Sequence, residues 1–170
     1  FFVVYFVAIA QWVRNRFAWL RWVLTLSTML VLGVLLYLLI PTAPPWLASP
    51  VHLIGPVDRV GTRGLHHLHL SFADRMWTKG AASANEVAAF PSLHFGFTVL
   101  VAAYFWRTSR TWLRLLLVAY PLLMGFALVY SGEHYVVDCL AGGVLAILVV
   151  WLCRRFVLPW FDRVIGRAHV

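Results

Sequence analysis

Four long apolar runs, Leu20 to Ile40, Leu93 to Trp106, Trp112 to Tyr130 and Tyr135 to Leu158, follow an apolar opening fragment and decide the solvent in which this chain can fold. A helix rises about 1.5 Å per residue, so about 20 apolar residues cross the hydrocarbon core of a bilayer. Each run is expected to be a membrane helix. Leu93 to Trp106 is short by itself, but a helix from Pro91 through Arg107 has about 17 residues, the lower limit for a span. Pro91 suits a first helical turn, where the missing amide would be unpaired anyway. Pro121 is expected to kink its helix rather than end it. The fold class is therefore all-α, a polytopic membrane helical bundle with about five spans and one domain over residues 1–170. An apolar share of 62% against 12% charged residues fits bilayer rather than water as solvent. The chain opens on Phe1 and Phe2 inside an apolar run without Met, so its natural start is expected upstream, and residues 1–13 are not read as a signal peptide.

The net charge of +8 is no nucleic-acid signature, because the basic residues punctuate the apolar runs as juxtamembrane clusters. Arg14, Arg16, Arg21, Arg107, Arg110, Arg114, Arg154, Arg155, Arg163 and Arg167 alternate onto one side. Arg59, Arg63, Arg75 and Lys79 fall opposite. By the positive-inside rule the first group is cytoplasmic, and residues 41–90 and 131–134 face outward. A connection as long as 41–90 is expected to be a functional loop with interfacial helices. It opens on the rigid turn Pro41-Thr42-Ala43-Pro44-Pro45-Trp46, which is also a plain helix stop. Cys139 and Cys153 lie on one predicted helix about 21 Å apart, too far for a disulfide.

Two constellations face the outer water layer: Phe90-Pro91-Ser92-Leu93-His94 and Gly132-Glu133-His134-Tyr135-Val136-Val137-Asp138. His134 and Asp138 are four apart, so on a helix they share a face, and the carboxylate can hold the imidazole in one tautomer. That is the spacing of a nucleophile and its orienting group. His94 lies near a helix start whose amides around Ser92 and Leu93 form an anion site, reinforced by the helix dipole. One histidine can attack phosphorus while the other protonates the departing oxygen, a two-step transfer needing no metal or other cofactor. Taken singly, a membrane histidine often satisfies a neighbouring helix. Two motifs on one face carry more.

These motifs resemble the membrane-bound type 2 phosphatidic acid phosphatase superfamily, whose Pro-Ser-Gly-His motif is similar to Pro91-Ser92-Leu93-His94 and whose His-x3-Asp matches His134 and Asp138. The wording is closest to its inositolphosphotransferase branch, which includes fungal inositol phosphorylceramide synthase and many actinobacterial membrane proteins. The proline-rich turn at 41–46, both histidine motifs and Ala141-Gly142 carry that likeness, over roughly residues 30–150. The resemblance implies a six-helix core with an outward active site, His134 as nucleophile, Asp138 orienting it, and His94 as general acid then base. Two departures stand out. Ala127 and Leu128 occupy the places of the superfamily's Ser-Arg, and its Lys-x6-Arg-Pro motif is missing. The phosphate-clamping charge is therefore expected from Arg75 and Lys79, four apart on one helix face, with Arg59 and Arg63 behind them. Glu133 and Tyr135 flank the nucleophile, and Glu133 can take a hydroxyl proton or bind a sugar. His66, His67 and His69 are clustered, but without a cysteine or nearby carboxylate they do not form a zinc set.

The expected activity is transfer of a phosphorylated headgroup, inositol phosphate in the branch's case, from a membrane lipid donor to a lipid or polyol acceptor. A lipid or polyprenyl phosphate phosphatase differs only in letting water attack the phosphohistidine. A non-catalytic scaffold or transporter is the remaining class. The branch places such an enzyme in a bacterial plasma membrane with its site on the extracytoplasmic side. Donor, acceptor and oligomeric state are not written in the residues.

Overall fold

In the computed structural model, which describes residues 2–57, 59 and 88–167, Asn15 ends one helix and starts the next. Its backbone is extended, and its Oδ1 accepts the amides of Phe17 at 2.8 Å and Ala18 at 3.2 Å, an N-cap that separates α1 (Val3–Arg14) from α2 (Arg16–Leu39). After a single turn, α3 (Pro45–Ala48), the described chain resumes at residue 88 and forms α4 (Leu93–Phe105) and α5 (Thr111–Tyr130). The last rod is α6 (Val136–Leu152), a π-helical turn (Cys153–Val157) and α7 (Leu158–Arg167).

Among the described residues, α2, α5 and the rod from Val136 to Val164 are long and apolar enough to cross a membrane, and α1 and α4 are shorter apolar helices. The chain is an integral membrane protein built as a helical bundle. α4 packs between α6 and α5, while α2 packs on α6 and carries α1. The core lies where these helices meet: Trp22, Met29, Leu100 and Val149 are fully buried. Trp22 donates its indole N–H to the Val4 carbonyl at 3.1 Å and meets the edge of Tyr104 at 5.0 Å, which satisfies its one polar group in an apolar site. α5 buries little beyond Pro121, which stays inside an unbroken helix. Its large exposed residues, Leu115, Leu122 and Phe126 among them, present an apolar surface as a bilayer-facing helix requires.

Among the described residues, the arginines other than Arg59 gather at one end of the bundle. Arg21 pairs with Asp162, and Arg154 donates to the carbonyls of Ala103 at 3.2 Å and Tyr104 at 2.7 Å. Arg154 thus supplies the last turn of α4 with donors that its own backbone lacks. Arg114 reaches the Trp106 carbonyl at 3.1 Å. The start of α2, the end of α4, the start of α5 and the end of the rod therefore share one end, as the alternation of spans predicts.

The structure corrects the expected start of α4. Ser92 rather than Pro91 sets it: the Ser92 backbone is extended and its Oγ accepts the Phe95 amide at 3.3 Å, so the helix begins at Leu93 and has 13 residues. A hydroxyl that satisfies an otherwise unpaired amide outweighs the fixed φ of a proline one position earlier. His94 becomes the second helical residue. Cys139 and Cys153 are buried free thiols.

Candidate active site

The starts of α4 and α6 meet through backbone. The Ser92 amide donates to the Asp138 carbonyl at 2.9 Å, and a Cβ on Gly142 would stand 2.1 Å from the Ser92 carbonyl oxygen. Only glycine admits that approach. Gly96 faces the same crossing, where a Cβ would lie 3.0 Å from the Gly142 carbonyl oxygen. The two motifs are held together by main-chain atoms, in the manner of small residues at membrane helix crossings.

That clasp brings His94 and His134 into one site, with ring centroids 6.0 Å apart. His134 Nδ1 lies 3.6 Å from Asp138 Oδ2. The pair does not meet as expected, along one helix face. Tyr135 is extended (ψ 157°) and caps α6, so His134 stands ahead of the helix. Asp138, in the first turn, folds back toward it and accepts the Tyr135 amide with Oδ2 at 2.8 Å. This is the carboxylate half of a capping box, favoured at a helix N-terminus by the unpaired amides and the dipole. One oxygen thus anchors the helix start and faces the histidine.

Burial sets the stakes. Asp138 is 1% exposed and His134 8%. A carboxylate so deep costs several kcal/mol unless it is bonded or paired. Asp138 Oδ2 is bonded, whereas Asp138 Oδ1 and His134 Nδ1 have no hydrogen-bond partner among the described residues. Unpaired buried polar atoms are rare in native folds and concentrate at reactive sites. With Nδ1 turned to the carboxylate, Nε2 of His134 is the nitrogen left for chemistry.

The remaining candidates divide. Ser92 is fully buried, with its hydroxyl used to cap α4 and its amide used to hold α6. Leu93 is buried in the core, and its side chain lies against Gly33. Glu133 receives a bidentate pair from Arg59, Nε to Oε1 at 2.7 Å and Nη2 to Oε2 at 3.0 Å. The Arg59 guanidinium also lies 4.2 Å from the centre of the Trp46 ring, and the Trp46 amide donates to the Gly132 carbonyl at 3.2 Å. The proline-rich turn is thereby bound to the loop that carries His134, where Gly132 takes the left-handed conformation (φ 73°) natural to glycine. Thr42 adds a bridge to Ala88, whose neighbour Ala89 donates to the Thr42 carbonyl at 3.1 Å. Arg63, Arg75, Lys79, His66, His67 and His69 lie outside the described residues.

Gly96 and the Arg59–Trp46 stack escaped the sequence reading. A glycine two residues after a motif histidine, with Gly142-Gly143 after the motif aspartate, was the available signal for the crossing.

An all-helical membrane fold with two histidines and a buried carboxylate at one helix crossing defines a class, and residues 1–152 match it: the chain belongs to the PAP2 superfamily. Within it, the chain is 29% identical to the inositol phosphorylceramide synthase catalytic subunit of Schizosaccharomyces pombe over 81% of its own length and 33% of that protein's. It is also 28% identical to the inositol phosphorylceramide synthase of Candida albicans, over 76% of this chain and 28% of the relative. A bacterial relative, the phosphoinositol dihydroceramide synthase of Bacteroides thetaiotaomicron, is 29% identical over 82% of this chain and 46% of its own. The chain thus spans less than half the length of each of these relatives. No solved structure matches it.

Proposed function

We propose that this chain carries the catalytic core of a membrane lipid phosphotransferase working through a phosphohistidine. The observation that carries the reading is the His94–His134–Asp138 geometry: two imidazoles 6.0 Å apart, with a buried carboxylate 3.6 Å behind one of them. His134 Nε2 attacks the phosphorus of a lipid phosphodiester, and the bond from phosphorus to the departing lipid oxygen breaks. His94, which takes up a proton beside the phosphate anion, gives it to that oxygen. Asp138 stabilises the positive charge that grows on His134. In the second step an acceptor hydroxyl passes its proton to His94 and attacks phosphorus, and the phosphorus–nitrogen bond breaks. Proton transfer of this kind contributes roughly 10²–10⁴-fold.

The names of the relatives support inositol phosphate as the transferred group, with a phosphatidylinositol-type donor and a lipid alcohol as acceptor. Ser92 and Leu93 fix the helix start that presents His94 to the reacting phosphate, and Tyr135 and Glu133 line its approach. Arg75 and Lys79 supply cationic charge for the phosphate, and Arg59, paired with Glu133, holds the His134 loop. The site faces the extracytoplasmic side of a bacterial plasma membrane, in agreement with the basic residues at the bundle's other end.

Radiolabelled phosphatidylinositol and phosphatidic acid, offered to the purified chain in detergent with and without a lipid alcohol, test the reading. Label from phosphatidylinositol on the alcohol, with an acid-labile phosphoprotein lost in His134→Ala, is the expected result. Free phosphate from phosphatidic acid as the dominant product makes the protein a lipid phosphatase. Full activity in His134→Ala removes the histidine assignment.

A further inference from the structure

The rod of α6, the π-helical turn and α7 runs from the histidines to the opposite end of the bundle, where it carries a cleft that the chemistry above does not use. The cleft is shallow and open, with a volume of about 620 Å³, and is lined by Arg155, Phe156, Val157, Pro159, Trp160 and Arg163. From Val136 to Arg155 the rod rises roughly 29 Å, close to the thickness of one hydrocarbon core. The cleft therefore falls at headgroup level in the leaflet opposite His94 and His134.

Its charge is uncompensated. Arg155 lies 5.6 Å from the Phe156 ring centre, and Arg163 uses Nε on the Pro159 carbonyl at 3.2 Å. The neighbouring carboxylate, Asp162, is taken by Arg21. Among the described residues neither cleft arginine pairs with an acid. In a straight α-helix residues eight apart are turned by about 80° from each other. The wider π-helical turn at Cys153–Val157 removes part of that offset, and both arginines line one opening. Beside them Trp160 and Phe156 are exposed, at 59% and 55%.

We propose that this cleft binds an anionic phospholipid of the surrounding bilayer, with its phosphate between Arg155 and Arg163 and its apolar portion against Trp160 and Phe156. Guanidinium forks match phosphate oxygens, and an exposed tryptophan at headgroup depth packs on the glycerol and upper acyl region. The two aromatics select a lipid over a soluble anion, because a free phosphate would leave them uncovered.

Native mass spectrometry of the full chain, released from detergent with dioleoyl phosphatidylglycerol or dioleoyl phosphatidylcholine, reads the site. The chain is expected to retain phosphatidylglycerol preferentially. Arg155→Gln/Arg163→Gln should lower that preference by roughly tenfold to thirtyfold, the sum of two arginine attractions at the headgroup level. Arg107→Gln/Arg110→Gln, with the same charge change at the same end but outside the cleft, should keep it. Equal retention of both lipids by the unaltered chain overturns the proposal, as does an equal loss in the control pair, which would mean diffuse attraction. Should the cleft variant fail to fold, brominated phosphatidylglycerol decides the matter in the unaltered chain: it must quench a fluorescence component that Trp160→Phe lacks, and no difference between the two proteins refutes the site.

Discussion

The carbonyl oxygen of Ser92 occupies the space that a side chain on Gly142 would need, 2.1 Å from the ideal Cβ position. This contact sits between the residue that starts α4 and the helix that carries Asp138, so the spacing of the two histidines depends on it. The geometry of the candidate site and the packing of the bundle are one problem at this point.

Gly142→Ala is therefore expected to destabilise the chain by more than the roughly 1–3 kcal/mol of ordinary overpacking, because the obstacle is backbone and cannot rotate away. A thermal melt in detergent checks this. Gly55, which has open space around its Cβ position, is the control, and Gly55→Ala should melt as the unaltered chain does.

Asp138→Asn keeps an oxygen for the Tyr135 amide but removes the charge behind His134. The turnover number should fall roughly 10²–10⁴-fold, in the range of acid–base contributions, with KM nearly unchanged. A rise in KM alone, with the turnover number unchanged, would place Asp138 in substrate binding instead.

His94 is assigned to the leaving oxygen, and the assignment has a chemical signature. With a phosphodiester whose leaving group is a nitrophenol, which departs without a proton, His94→Gln should retain most of its first-step rate. With a lipid alcohol as leaving group it should lose roughly 10²–10⁴-fold. Equal losses on both substrates would remove the acid role.

Arg59→Lys should behave almost as poorly as Arg59→Gln, because a lysine can neither form the two parallel bonds to Glu133 nor stack flat on Trp46. Transfer activity of Arg59→Gln, Glu133→Gln and the double variant forms a cycle. A coupling of about 0.5–3 kcal/mol is expected for partners in direct contact. Additive losses would mean that the pair does not position the His134 loop.

Arg154→Gln should lower the melting temperature while leaving KM intact. Its donors serve the Ala103 and Tyr104 carbonyls at the end of α4 remote from His94.

The helical bundle was legible because a bilayer leaves little choice: apolar runs of span length must be helices. His94, His134 and Asp138 were legible as paired motifs with meaningful spacing. The start of α4 was misplaced because two local preferences compete there, proline at a first turn and serine at a cap, and the hydroxyl bond to Phe95 won. The His134–Asp138 contact was anticipated for the wrong reason, since periodicity carries no information about Tyr135 adopting an extended backbone. Arg59 and Glu133, 74 residues apart in the chain, have no local signal that joins them.

The clasp at the site is made of a Ser92 amide, an Asp138 carbonyl and a bare Gly142 backbone. Such a joint takes nothing from the side chains of the loops around it, so substitutions in that region that spare the Trp46 and Arg59 contacts leave the spacing of His94, His134 and Asp138 in place. The positions closed to change are then the bare backbones of Gly142 and Gly96, where two helices touch, rather than the side chains that surround them.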